Sequence, residues 1–203
     1  MNYIYRMTHI DNIPHILKHG ITHRESADAD PSYIPIGDTS IIDKRRNLIR
    51  ETVAGEKISL GDFIPFYFYA RMPMLYNIQH GYKVERVDAE NIVYLIVAIK
   101  AITNDSNRKF YFSDGHTVSR QTKFYGKDRL GDIDRLVDIE SVKSNDWGND
   151  YVVKERKQAE FLIMGDIPTS AIATICCYSS NARQRLVDMG VSCDIIVRPK
   201  AYY

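Results

Sequence analysis

Glu160 is the residue in this chain best placed to do chemistry. It stands in the string Lys154-Glu-Arg-Lys-Gln-Ala-Glu-Phe-Leu162, after a cationic stretch and directly before an apolar run. Carrying a carboxylate into such a strand costs on the order of several kcal/mol unless the charge is paired or used. The placement therefore points to a functional carboxylate. A second titratable pair lies in Phe112-Ser-Asp-Gly-His116, where a turn after a strand offers the Asp114 carboxylate and the His116 imidazole. Lys44, Arg45 and Arg46, followed by Asn47, supply guanidinium forks able to clamp a diphosphate. Taken alone, these cations read first as a solvated helix face.

Two further strings offer contacts rather than reactive groups. Tyr5-Arg-Met-Thr-His-Ile-Asp-Asn12 leads from a strand end into a capped helix. The free N–H groups and hydroxyl there suit an amide or a pyrophosphate, although capping alone accounts for the pattern. Asp62-Phe-Ile-Pro-Phe-Tyr-Phe-Tyr69 continues to Met72-Pro-Met-Leu-Tyr76. Strand alternation sends Tyr67 and Tyr69 to one face and Phe66 and Phe68 to the other. One face is then core, and the other presents rings on which a nucleobase could stack. Pro73 to Tyr76 reads as a loop that adds the thioether of Met74 and another ring.

The elements that must hold these groups follow from periodicity. Strands are expected at 3–7, 63–69, 91–99, 109–112, 159–164, 172–178 and 193–197. Helices are expected at 8–19, with Gly20 as its C-cap, at 41–51 and at 181–189. Residues 22–39 read as a long polar loop. Between Ser113 and Val153 the apolar period fades, which marks a functional excursion with one helix near 130–139. Few strand–helix–strand alternations occur, so the fold class is α+β with mainly antiparallel pairing, in one domain over 1–203.

Composition narrows the class of protein. A chain of 203 residues can bury a substantial core, and mean hydropathy is −0.31. No apolar run reaches membrane-span length and the N-terminus lacks a signal-peptide core, so a cytoplasmic protein without membrane contact is expected. Three cysteines, two of them adjacent at Cys176 and Cys177, form no disulfide framework. Their spacing does not suit zinc, and no metal is expected. Glycine-rich dinucleotide or Walker-type phosphate loops and the Gly-x-Ser-x-Gly elbow are missing. The net charge of +1 leaves nucleic-acid binding to clustered cations. With 14 Tyr against a single Trp, rings suited to stacking are plentiful, and strand packing would use the same residues.

Taken together and in order, these strings resemble the DarT family, the toxin half of DarT–DarG toxin–antitoxin systems. The resemblance rests on Thr8-His-Ile-Asp-Asn12 with Gly20, Ile36-Gly37 and Arg45-Arg46-Asn47. It continues through Asp62–Phe68 with Pro73–Tyr76, Phe112–His116, Lys157–Leu162 and the terminal Tyr202-Tyr203. It implies an ADP-ribosyltransferase fold, with two central sheets holding NAD as co-substrate in a cleft between flanking helices. It also implies transfer of ADP-ribose to a base of single-stranded DNA, thymine above others, and a macrodomain antitoxin of DarG type as partner. Glu160 would stabilise the ribosyl cation and orient the ribose 2′-hydroxyl. Arg46 matches the family's essential arginine and would hold the NAD phosphates and steady the thymine anion. Arg6, Met7, Thr8, Asn12, Gly20 and Tyr67 would bind NAD. Met74, Tyr76 and His116 would face DNA, and Arg120, Lys123, Lys127 and Arg129, on a substrate-recognising loop of about 116–160, would track its phosphates. Arg6, where many relatives have His, and Ala201, where the family has Trp, leave the target base open. Guanine in DNA, RNA or protein acceptors and a non-catalytic NAD or nucleic-acid binding module are the alternatives.

Overall fold

Strands form where apolar side chains alternate or run unbroken. In a computed structural model that describes residues 1–203, there are ten of them. They are β1 (Tyr3–His9), β2 (Ile49–Glu51), β3 (Lys57–Ser59), β4 (Phe63–Tyr67) and β5 (Ile92–Ala98). The second half of the chain adds β6 (Phe110–His116), β7 (Phe124–Tyr125), β8 (Ala159–Met164), β9 (Ile172–Cys177) and β10 (Asp194–Val197). Eight form one sheet in the order β10-β9-β5-β1-β4-β8-β6-β7, and β2 and β3 form a small hairpin. Only β9 and β10 run parallel; every other pair is antiparallel.

The expectation of two central sheets takes a particular form. β1 pairs with β5 along seven registered positions, Tyr3↔Ala98 to His9↔Ile92, and β4 pairs with β8 from Phe63↔Met164 to Tyr67↔Glu160. Between β1 and β4 a single pair, Tyr5↔Tyr67, is in register. The eight-stranded sheet is thus two four-stranded halves joined at a seam.

Period-two alternation divides the core. Val93, Leu95 and Val97 of β5 enter a large cluster with Phe66, Phe112 and Phe161. Ile92, Tyr94 and Ile96 point to the other face, against Cys176 and Tyr202. Phe63, Tyr111 and Leu162 close a third cluster beside β3. At roughly 25 cal/mol per Å² of buried apolar surface, these faces fix the register, since a slip of one residue would turn each strand inside out.

Helices flank the sheet: α1 (Ile13–His19), α2 (Thr39–Arg46), α3 (Pro73–His80), α4 (Ile99–Thr103), α5 (Ile133–Leu136), α6 (Ile139–Lys143), α7 (Tyr151–Lys157) and α8 (Ser180–Asp188). Three expectations need correction here. The helix expected at 41–51 ends at Arg46, and Ile49 to Glu51 turn into β2, paired with Lys57 to Ser59. The segment 73–76 is helix rather than loop: Pro73 occupies the first turn of α3, and Gly81 at φ +69° caps its end. The excursion after β6 is largely built, carrying β7, α5, α6 and α7 rather than one helix.

Candidate active site

The seam between β1 and β4 opens into a cleft of about 350 Å³ whose lining includes Arg6, Met7, Arg45, Arg46, Tyr67 and Met74. Because the backbone ladder is absent beyond Tyr5↔Tyr67, side chains bridge the gap, and Arg6 Nη1 donates to the Pro65 carbonyl at 3.0 Å. A cleft of this size, with convergent polar groups on an apolar lining, is what a small-molecule site requires.

Glu160 sits at the first turn-in of β8, directly opposite Tyr67, and is only 1% exposed. Its carboxylate is held from both sides: Arg45 Nη1 donates to Oε2 at 2.6 Å and the Thr117 hydroxyl donates to Oε1 at 3.0 Å. Arg45 Nη1 also reaches Thr117 Oγ1 at 3.1 Å, closing a triangle. The backbone is fixed as well, since Glu160 N–H donates to Ser113 Oγ at 3.0 Å. A buried carboxylate so satisfied keeps its geometry as charge develops nearby, which is the requirement for electrostatic catalysis. Burial, and then the Glu160 charge, push the Tyr67 phenol up, so it stays protonated.

Arg45, not Arg46, is therefore the arginine on Glu160. The two differ by about 100° around an α-helix, and Arg46 turns outward, half-exposed and paired at 3.7 Å with Asp43. Arg46 still lines the cleft rim. Arg45 Nη2 is buried without a partner, a donor left open beside the site. Helix α2 has no buried residue, and it is anchored through Arg45 and its capped N-terminus. Asp38 accepts from Ser40 and Ile41 N–H, and the Ser40 hydroxyl chiefly holds its carboxyl below the usual range. At the other end Gly61 admits the α2 terminus: a Cβ there would lie 2.4 Å from the Arg46 carbonyl oxygen.

Arg50 was not singled out by its surroundings in sequence, yet it organises the site. From β2 its Nε donates to the Thr117 carbonyl at 3.0 Å and Nη2 to the Val118 carbonyl at 2.7 Å, with a longer contact to Ser119. It thus pins the turn that carries Thr117 onto Glu160. His116 precedes that turn, half-buried and paired with Ala159; burial pushes its imidazole below its ordinary value, opposed by the Glu160 charge.

The other candidates separate into cleft residues and supports. Arg6, Met7 and Tyr67 line the cleft. Thr8 and Asn12 are each 1% exposed and lie behind it. Asn12 brackets Ile34, donating from Nδ2 to its carbonyl and accepting its N–H, both at 2.9 Å, while Nδ2 also donates to Thr8 Oγ1. Their hydrogen bonds secure the 33–38 loop, which contributes to the cleft lining. Gly20 caps α1 at φ +83°, with a Cβ position 2.3 Å from the Ile167 carbonyl oxygen, and is not among the residues lining the cleft. Met74 lines the cleft, whereas Tyr76, on the same helix, joins His80, Tyr82, Trp147 and Tyr203 in an aromatic cluster. Arg120 and Lys123 are exposed. Lys127 and Arg129 are engaged locally, with the Ser106 carbonyl and with Asp132.

A larger cavity, about 800 Å³, lies elsewhere, between β6, α5 and α7, and includes neither Arg45 nor Tyr67. The Arg45 that holds Glu160 lines the smaller cleft instead. No group of three or more His, Cys, Asp or Glu side chains is arranged to hold a metal ion, and no helix is long and apolar enough to cross a membrane.

Comparison with known proteins places this arrangement. Residues 5–203 match the family described as ssDNA thymidine ADP-ribosyltransferase, DarT. The DNA ADP-ribosyl transferase of Escherichia coli O127:H6 is 33% identical over 187 residues, covering 90% of this chain and 83% of that protein. The DarT of Thermus sp. 2.9 in complex with ADP-ribosylated ssDNA superposes with a TM-score of 0.86 at 27% identity, covering 99% of this chain and 96% of that one. The same Thermus protein in complex with NAD+ gives a TM-score of 0.79. A Thermosipho africanus protein that fuses a DNA ADP-ribosyl transferase to a DNA ADP-ribosyl glycohydrolase is 27% identical over 161 residues, or 79% of this chain and 38% of the fusion. With a family match from the first strand to the last residue, the chain belongs to the DarT family of DNA ADP-ribosyltransferases.

Proposed function

We propose that this protein transfers ADP-ribose from NAD to thymine in single-stranded DNA, and that as a toxin it thereby blocks replication. NAD is the co-substrate. The observation that carries the reading is the Glu160 carboxylate, buried, braced by Arg45 and Thr117, and facing Tyr67 across the strand pair. The reaction breaks the bond between the ribose anomeric carbon and nicotinamide, whose nitrogen keeps the electron pair. A thymine ring nitrogen, having lost its proton to solvent, forms the new bond to that carbon. Positive charge on the ribose peaks in between, and a fixed carboxylate beside it lowers the barrier without reorganising.

The residues present suit that substrate. The buried, unpartnered Nη2 of Arg45 can donate to an oxygen of the ribose or of the incoming base. Arg46 and Arg6 bring cations to the lining for the pyrophosphate. The protonated Tyr67 offers a ring for the nicotinamide. Arginine stays charged throughout, so Arg45 stabilises a thymine anion rather than accepting its proton. The protein acts in the cytoplasm, and a DarG-type macrodomain hydrolase is the antitoxin this activity calls for.

The test is incubation with NAD and short single-stranded oligonucleotides, each containing one base type, followed by mass spectrometry. An ADP-ribosyl adduct on the thymine strand alone supports the proposal. An adduct confined to the guanine strand moves the acceptor to guanine, and free ADP-ribose without any adduct overturns DNA transfer.

A further inference from the structure

Lys157 is 1% exposed and its ammonium donates only to the Val142 carbonyl, at 2.8 Å. Burial pushes it down to about 8, and the charge of Arg71 adds in the same direction. Arg71 itself has a buried Nε without a partner, while its terminal nitrogens reach solvent. Neither side chain makes an ion pair. Two cations packed together at least partly out of water without a carboxylate are costly to assemble. An anion from outside the chain would neutralise them.

The fold puts this cluster next to the reaction. β4 and β8 are antiparallel with Tyr67 opposite Glu160, so the chain leaving β4 and the chain approaching β8 emerge at the same end of the pair. Arg71 lies four residues beyond Tyr67, and Lys157 three residues before Glu160. Arg71 is also held in an uncommon conformation, φ +55°, where most residues with a Cβ are strained. Contacts from distant segments impose it. Its N–H donates to the Tyr94 hydroxyl at 3.0 Å, its carbonyl accepts from the Tyr203 hydroxyl at 2.7 Å, and Trp147 Nε1 donates to that same hydroxyl at 2.9 Å. The guanidinium lies over the Tyr203 ring, 4.5 Å from its centroid. Rings of Tyr76, His80 and Tyr82 continue the surface.

We infer that Arg71, backed by the buried charge of Lys157, is a phosphate site for the DNA strand next to the modified base, with the adjoining rings as its stacking platform. The inference rests on DNA as the acceptor and moves the phosphate contact away from Arg120, Lys123, Lys127 and Arg129. A guanidinium on an aromatic face, fixed at an angle by its own strained backbone, presents its fork to one phosphate oxygen pair at a defined distance from Glu160. The site therefore sets which nucleotide enters the cleft.

The experiment compares wild type and Arg71→Gln for binding of a fluorescent single-stranded oligonucleotide across a salt series, and for KM of oligonucleotide and of NAD in transfer. The expected result is a roughly tenfold weaker oligonucleotide, a log–log salt slope smaller by about 0.7, as for one phosphate of a single strand, and an unchanged KM for NAD. A raised KM for NAD with oligonucleotide binding intact would assign the phosphate to the dinucleotide and overturn the inference, as would an unchanged slope. Should Arg71→Gln fold poorly, wild type is given oligonucleotides with one neutral methylphosphonate at each position in turn. One position beside the modified thymine must then weaken binding about as much, and uniform behaviour at all positions would sink the idea. Because binding is read apart from transfer, a protein that binds through Arg71 yet modifies nothing separates failure of the proposed activity from failure of this site.

Discussion

Arg45 and Glu160 meet at 2.6 Å with side chains 13% and 2% exposed, the one tightly buried ion pair of the molecule. Such a pair gains little over an apolar substitute, but removing either partner strands the other at about 3–5 kcal/mol. Its presence beside a cleft that Arg45 lines is therefore better explained by catalysis than by folding.

Replacing Glu160 by Gln keeps the shape and the Thr117 contact but removes the charge. Transfer should fall by about a thousandfold, near 4 kcal/mol of transition-state stabilisation, while NAD binding measured by calorimetry stays within a few-fold. A variant that modifies DNA at close to the normal single-turnover rate would move the catalytic role elsewhere.

The two neighbouring arginines should behave differently. Arg45→Ala is expected to lower unfolding stability by about 3 kcal/mol and to cut transfer as severely as the Glu160 variant. Arg46→Ala should leave stability within about 0.5 kcal/mol and weaken NAD modestly. Urea unfolding and steady-state kinetics on both variants decide; a larger transfer loss in Arg46→Ala reverses the assignment.

Arg50 acts through the turn it holds, and so is a positioning residue. Arg50→Ala frees Thr117 and lets the Glu160 carboxylate wander, for an expected ten- to hundredfold drop in kcat with KM for NAD little changed. Arg50→Lys restores one of the carbonyl contacts and should recover part of the rate. Equal losses in kcat and thermal stability, without rescue by lysine, would reduce Arg50 to a structural strut.

Gly20→Ala separates a packing role from a part in binding NAD. With φ +83° and a carbonyl oxygen 2.3 Å from the new Cβ, about 2–4 kcal/mol of stability should be lost. NAD affinity of the folded fraction should not change, and a selective loss of NAD binding would return Gly20 to the cofactor site.

His116 gives a pH dependence with a definite sign. Burial favours its neutral form, so the folded value lies below the unfolded one near 6.5. The unfolded chain then takes up a proton that the folded chain resists, and stability falls as pH drops below about 6.5. His116→Gln should remove this part of the acid sensitivity, seen as a smaller change in urea midpoint between about pH 7.5 and pH 5.5. An identical change in both proteins would show that His116 is not the group responsible.

Strands were the legible part of the sequence. The unbroken apolar runs at 92–98 and after Glu160 leave few other ways to bury those side chains, and β5 and β8 fall where those runs put them. Helix α3 was readable in principle, from Pro73 at its start and Gly81 past its end, but two prolines' distance of aromatic sequence masks that signal. The choice between Arg45 and Arg46 was not readable, because it depends on how a helix without buried residues is rotated by its caps. Arg50 lay further still out of reach: its partners are backbone carbonyls more than sixty residues away, and no side-chain pattern announces them.

The seam at Tyr5↔Tyr67 separates two hydrogen-bond lattices that share one registered pair. The register that sets Tyr67 against Glu160 belongs wholly to the second lattice, while Arg6 and Met7 reach the cleft from the first. A ligand filling the cleft therefore touches both lattices and ties together two halves that share little backbone.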